Sequence, residues 1–119
     1  MLEGRETIRL IGVNTPETKD PRKPVEYFGK EASAFTKKMA EGKQVYLAFD
    51  HVNAARKHKD KYGRTLAYVY LEDDRFLNAE IIKQGFGHAE TAYPFAKMEE
   101  FRMLEREARE HGRGLCAKE

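Results

Sequence analysis

The sequence predicts a small domain, mainly β with packed helices, of about three strands and three helices. Three observations carry that reading. Val45, Leu47 and Phe49 alternate with Gln44, Tyr46 and Ala48, the period of a strand, and 64–71 is rich in Tyr and Val. Apolar residues recur at helical spacing through 26–40 and 95–111. The 119 residues, 40% of them hydrophobic, suffice for one modest core and one domain spanning 1–119.

In chain order, 7–13 reads as a strand ended by Asn14-Thr15-Pro16, and 20–24, with two prolines, as a loop. Phe28, Ala32, Phe35 and Met39 mark the inner face of a first helix over 26–40, with Gly42 as its stop. The second strand covers 44–49. The polar, basic stretch 53–61 is expected to be a loop, and 64–71 the third strand. Glu72-Asp73-Asp74 turns the chain into a short helix over 77–84, with Asn78 in its first turn and Gly85 at its end. The longest helix is expected over 95–111, with Phe95, Met98, Phe101, Leu104 and Ala108 inward and Gly112 and Gly114 at its end.

Twenty-two basic residues face twenty acidic ones, so any affinity for polyanions must come from where the charge sits. The single cysteine, Cys116, excludes an internal disulfide and a multi-cysteine zinc site, and reads as a small packing residue. No apolar run approaches membrane-span length, and no signal-peptide pattern is present. A soluble protein is expected. The compartment stays open, and a signal peptide upstream of Met1 would make the protein a secreted one.

The residues suited to chemistry fall in two stretches. In 9–19, Arg9 shares strand parity with Ile11 and Val13, and Thr15 and Glu17 flank Pro16. An arginine among apolar neighbours needs a partner. That partner is either a structural carboxylate, Glu17 or Glu31, or a ligand. In Asp60-Lys61-Tyr62-Gly63-Arg64, Gly63 supplies an unusual turn dihedral, and Arg64 stands at the start of a strand, where its planar fork can hold phosphate oxygens. The preceding run Arg56-Lys57-His58-Lys59 is either a solvated loop or a track for phosphates, through Lys57 and Lys59. Tyr62 and Tyr93 either stack on a base or pack half-buried at strand ends. The four histidines show no metal spacing and carry no assigned role.

The order of these segments resembles the staphylococcal (micrococcal, thermonuclease) nuclease family over about 4–115. The strongest parts are 9–19, Glu31-Ala32-Ser33-Ala34-Phe35-Thr36-Lys37-Lys38, and Asp60-Lys61-Tyr62-Gly63-Arg64 with Leu66-Ala67-Tyr68. The resemblance implies an OB-fold barrel with three packed helices and Ca²⁺-dependent hydrolysis of DNA and RNA phosphodiesters that leaves 3′-phosphates. It implies that Arg9 and Arg64 clamp the scissile phosphate and Glu17 orients or deprotonates the attacking water. Thr15 would lie at the calcium site, and Tyr62 and Tyr93 in the nucleotide pocket. It also implies that the strand 64–71 lies between 7–13 and 43–50 in one sheet.

Two departures stand out. The family carries a calcium-binding aspartate directly before Thr-Pro-Glu, and this chain has Asn14 there. The family's Asp-Gly-Asp segment, on a first hairpin, has no counterpart here, so the barrel is expected to be N-terminally incomplete by two strands. Calcium affinity depends on ligand charge and count. Weak or absent Ca²⁺ binding is therefore expected at Asn14 and Thr15, and self-association through the exposed strand edges. The enzyme reading is a metal-dependent endonuclease acting on DNA or RNA. The alternative is a catalytically weakened or inactive OB module that binds nucleic acid or protein.

Overall fold

A computed structural model of the chain describes residues 6–15 and 28–115. Its elements are β1 (Ile8–Leu10), β2 (Val13–Asn14), α1 (Gly29–Ala40), β3 (Val45–Ala48), β4 (Thr65–Leu71), α2 (Leu77–Lys83), β5 (His88–Ala89) and α3 (Met98–Glu110). A 3-10 helix, His51–Arg56, overlaps the start of the 53–61 stretch expected to be a loop. Asp50 caps it, accepting from Val52 N at 3.1 Å. The three α-helices fall where the helical spacing puts them, although α3 starts at Met98, with Phe95 buried just ahead of it.

The main sheet has the order β1-β4-β3. β1 runs parallel to β4, with Ile8 opposite Thr65, Arg9 opposite Leu66 and Leu10 opposite Ala67. β3 runs antiparallel to β4, from Val45 opposite Leu71 to Ala48 opposite Tyr68. β4 is the most buried strand because it lies between the other two; Thr65, Ala67, Tyr68, Val69 and Leu71 are all buried.

The expected continuous strand over 7–13 is broken. β1 stops at Leu10, the chain turns at Ile11-Gly12, and β2 pairs antiparallel with β5, Val13 opposite Ala89 and Asn14 opposite His88. Gly12 causes the break. Its φ of +75° is costly for a residue with a Cβ, and a Cβ there would sit 2.5 Å from Phe95 Cζ and 2.7 Å from Phe101 Cδ2. The strand parity that joined Arg9 to Ile11 and Val13 therefore ends at this turn. Ile11 N still donates to Ala67 O at 3.0 Å, and Glu90 N donates to Gly12 O at 2.9 Å. One short segment thus hands the chain from the β1–β4 ladder to the β2–β5 ladder.

The core gathers Val13, Val69, Leu71, Leu77, Ile81, Ile82 and Phe101. Phe101, on α3, has no exposed surface and meets Phe95 and Tyr68 edge-on. Truncating such a ring to Ala costs about 3–5 kcal/mol. Phe35 of α1 stacks on Phe86 with centroids 4.3 Å apart, which docks α1 beside the end of α2.

Asn78 is fully buried at the start of α2 and is the polar centre of this packing. Its Oδ1 accepts from Val69 N at 2.9 Å, and its Nδ2 donates to Ile11 O at 3.0 Å and Ala67 O at 3.3 Å. A buried amide with its hydrogen bonds made is tolerated, and it sets the spacing of α2, β4 and the turn after β1.

Candidate active site

The parallel β1–β4 ladder brings the two arginines together. Arg9 lies opposite Leu66, and Arg64 is two residues before Leu66, so both side chains leave the same face of the pair. Arg9 is half-buried, and its Nη1 donates to Leu10 O at 2.8 Å and Val13 O at 2.6 Å. It is folded over the Ile11-Gly12 turn and held there. Burial pushes the Arg9 guanidinium down from its ordinary value and the nearby Arg64 pushes it further, while Glu90 and Asp60 pull it back. Two guanidinium groups held side by side repel each other and favour an anion between them.

Arg64 is fixed by Asp60. Asp60 Oδ2 accepts from Arg64 Nε at 2.7 Å, and Oδ1 accepts from the backbone N–H groups of Tyr62 and Arg64, each at 2.9 Å. Asp60 N also donates to Arg64 O at 2.9 Å, closing a tight loop in which Gly63 takes φ +78°. Burial raises the Asp60 carboxyl, but the hydrogen bonds from Arg64 and Tyr62 outweigh it and leave the carboxyl below its usual range. In the sequence Asp60 stands out only as part of the 60–64 turn. Its signal is the four-residue spacing to Arg64, and its role is to position that residue.

A cavity of about 330 Å³ opens beside the pair, lined by Arg9, Arg64, Tyr62, Tyr93 and Glu90 among others. Tyr62 is 70% and Tyr93 80% exposed, so neither packs half-buried. Tyr62 lies under Lys61 and Arg64, with Nζ and Cζ 5.2 and 5.3 Å from its ring centroid. On the other side of the arginines is a wider concavity of about 650 Å³ that includes Asn14, Thr15, Ser33, Thr36 and Lys37.

Two expected site residues lie elsewhere. Lys57 and Lys59 line neither cavity. Lys57 is exposed with φ +54°. Lys59 Nζ donates to Thr65 Oγ1 at 2.7 Å and Glu6 Oε1 at 3.2 Å, so it ties the loop to β4. Thr65 Oγ1 also donates to Glu6. Glu17, the expected water-activating carboxylate, and Cys116 lie outside the described residues. Among the described residues no three His, Cys, Asp or Glu side chains gather as a metal cluster. Asn14 and Thr15 are exposed and supply neutral oxygens alone. These two do not by themselves fit calcium, which favours several charged oxygen ligands.

The arrangement defines a small sheet-and-helix scaffold with a cationic, ring-walled cleft at one end of its parallel strand pair. A model of the staphylococcal nuclease homologue family matches residues 7–118, and the chain belongs to that family. Membership implies an OB-fold; the mixed sheets and packed helices described above are its visible elements. The chain is 51% identical over 84 residues to a protein named thermonuclease from Staphylococcus intermedius, which covers 71% of this chain and 46% of that relative. It is 43% identical over 96 residues to the thermonuclease of Staphylococcus hyicus, covering 81% of this chain and 53% of the relative. Endonuclease YncB of Bacillus subtilis is 36% identical over 107 residues, or 88% of this chain and 48% of that protein. The chain spans about half the length of the curated relatives it matches. Among the described residues no helix is long and apolar enough to cross a membrane.

Proposed function

We propose that this chain is the phosphodiester-binding part of a nuclease that hydrolyses DNA or RNA, with Arg9 and Arg64 as the clamp on the scissile phosphate. The observation that carries this is the placement of the two guanidinium groups on one face of the β1–β4 ladder, at a cavity with two exposed tyrosines. Hydrolysis of a phosphodiester builds charge on the equatorial oxygens. Fixed guanidinium groups that need no reorganisation stabilise that charge most. Arg9 is fixed by carbonyls and Arg64 by Asp60, so both meet that condition. Tyr62 and Tyr93 offer ring faces to an unstacked base. Glu17 is the carboxylate assigned to orient water. The names of the relatives, thermonuclease and endonuclease, support hydrolysis of internal phosphodiesters.

Calcium is the cation the family resemblance implies. Asn14 and Thr15 do not make its site alone, so the clamp is assigned its role without it. The lack of charge at Asn14 favours a second reading, a module that binds nucleic acid and cuts it weakly or not at all. Incubation with end-labelled DNA and RNA oligonucleotides in calcium separates the two. Fragments ending in 3′-phosphates support the nuclease. Retained binding with no fragments supports the module.

A further inference from the structure

Glu90 is an acid in a cavity whose charged wall is otherwise built for anions. It follows β5 directly, and its N–H is pinned to Gly12 O at 2.9 Å, beside the turn that holds Arg9. Its side chain is half-buried and faces the same cavity as Arg9, Arg64, Tyr62 and Tyr93. Glu90 Oε1 accepts from Ala92 N at 3.0 Å, which fixes the carboxylate. Oε2 has no hydrogen-bond partner among the described residues. Asp60, the other acid in the cavity, has both oxygens engaged by Arg64 and Tyr62. Glu90 is therefore the carboxylate there with an acceptor to spare. Leu10, Leu66, Val52 and Phe95 give the cavity its apolar wall, and Asn53, Arg56 and Lys61 complete its polar lining without adding another acid.

Arg9 and Arg64 border this cavity, so a nucleotide whose phosphate they hold has room to place its base there. An ionised carboxylate only accepts hydrogen bonds. Adenine and cytosine each present an exocyclic amine, and guanine presents adjacent N1–H and N2–H groups. Thymine and uracil present one N3–H between two carbonyl oxygens, and those oxygens are repelled by a carboxylate. A fixed acceptor therefore discriminates between a base that donates to it unopposed and one whose single donor is flanked by two acceptors, which an apolar wall does not do. A base is within reach of such a side chain only when unstacked, as in a single strand.

We propose that Glu90 is a specificity-determining residue that selects nucleotides whose base carries an amino group, at the expense of thymine and uracil. This rests on the reading of the cavity as the nucleotide site. The two are separated by calorimetry with the four deoxynucleoside 5′-monophosphates and with pyrophosphate, which has no base. Wild-type chain is expected to bind dAMP, dCMP and dGMP about tenfold more tightly than dTMP, the worth of one hydrogen bond to a charged group. Glu90→Gln keeps the shape and offers an N–H to the thymine carbonyl, so dTMP should come within about twofold of the others. Glu90→Ala should also level the four. Binding that is blind to the base in wild type, tightest for dTMP, or unchanged in its ratios by Glu90→Gln overturns the proposal while leaving the phosphate clamp intact. If neither pyrophosphate nor any nucleotide binds, and Arg64→Ala changes nothing, the clamp itself is refuted and the role of Glu90 falls with it.

Discussion

Asp60 and Arg64 form a closed unit in which one carboxylate takes the guanidinium Nε at 2.7 Å and the backbone N–H of the same arginine at 2.9 Å. The Asp60 side chain is 15% exposed, so solvent competes little for it. Asp60→Asn keeps one acceptor oxygen and puts an NH₂ where Arg64 Nε needs the other. Arg64 is then free to swing. The expected result is a loss of about tenfold to hundredfold in cleavage rate, the scale for a misplaced transition-state contact. Thermal melting should move by only roughly 5 °C. A variant that cuts at the wild-type rate would show that Arg64 needs no anchor.

The acid side of the stability profile follows from Asp50 and Asp60. Burial raises the Asp50 carboxyl, but Tyr68 Oη donates to it at 2.5 Å, and Val52 N and Ala96 N donate at 3.1 and 2.8 Å. The net direction is down, as for Asp60. Groups lowered in the folded state add stability above the unfolded value of about 3.9 and lose it as pH falls through the folded value. Urea midpoints should therefore fall steeply below pH ~4 in wild type. They should fall less steeply in Asp50→Asn, which starts from lower stability at neutral pH.

Asn78→Ala leaves the Val69 N–H and the carbonyls of Ile11 and Ala67 without their partner in a buried site. The expected loss is about 3 kcal/mol, read from denaturant midpoints. Ile11 adjoins Leu10, whose carbonyl holds Arg9, so the variant should also lose affinity for pyrophosphate. Loss of stability with unaltered pyrophosphate binding would confine Asn78 to packing.

These three positions show where sequence reading stops. The helix faces of α1, α2 and α3 were legible because their apolar spacing is local, and the strand order followed from the family resemblance. The contacts of Asp50 with Ala96 and of Asn78 with Ile11 span 46 and 67 residues, and no local pattern announces them. The break in 7–13 had a signal, since Gly12 inside an apolar run marks a bulge or a close approach. β5 had none, because a two-residue strand is fixed by its partner. At the site, Arg9, Arg64, Tyr62 and Tyr93 were legible as residue types in order. Glu90 was not, because its importance comes from the turn at Gly12 to which its backbone is bound.

Both outer strands of the β1-β4-β3 sheet have an unpaired edge among the described residues, and Tyr46, Leu47 and Phe49 are 54%, 39% and 51% exposed. Such edges invite pairing with another chain. Sedimentation of the 119-residue chain should show concentration-dependent self-association. A compact monomer across the range would remove this expectation.

Asn14→Asp adds a charge where Asn14 supplies only a neutral oxygen. An extra carboxylate at an exposed position should tighten calcium binding about tenfold, a fraction of the Coulomb energy at an effective dielectric of ~20. Calorimetry on the two proteins checks it. Tight calcium binding by the unmodified chain would contradict the assignment of Asn14 as the weak point.

Arg9 and Arg64 are proposed to act together on one phosphate. Single-turnover cleavage of a labelled single-stranded oligonucleotide in calcium by wild type, Arg9→Lys, Arg64→Lys and the double variant tests it most directly. Each lysine keeps the charge and loses the planar fork. A loss of about hundredfold is expected for either single change and little further loss in the double, because two halves of one clamp are not additive. Neutralising Lys57 should cost far less. Rates unaffected by either arginine change, losses that simply multiply, or an equal loss from Lys57→Ala would contradict it.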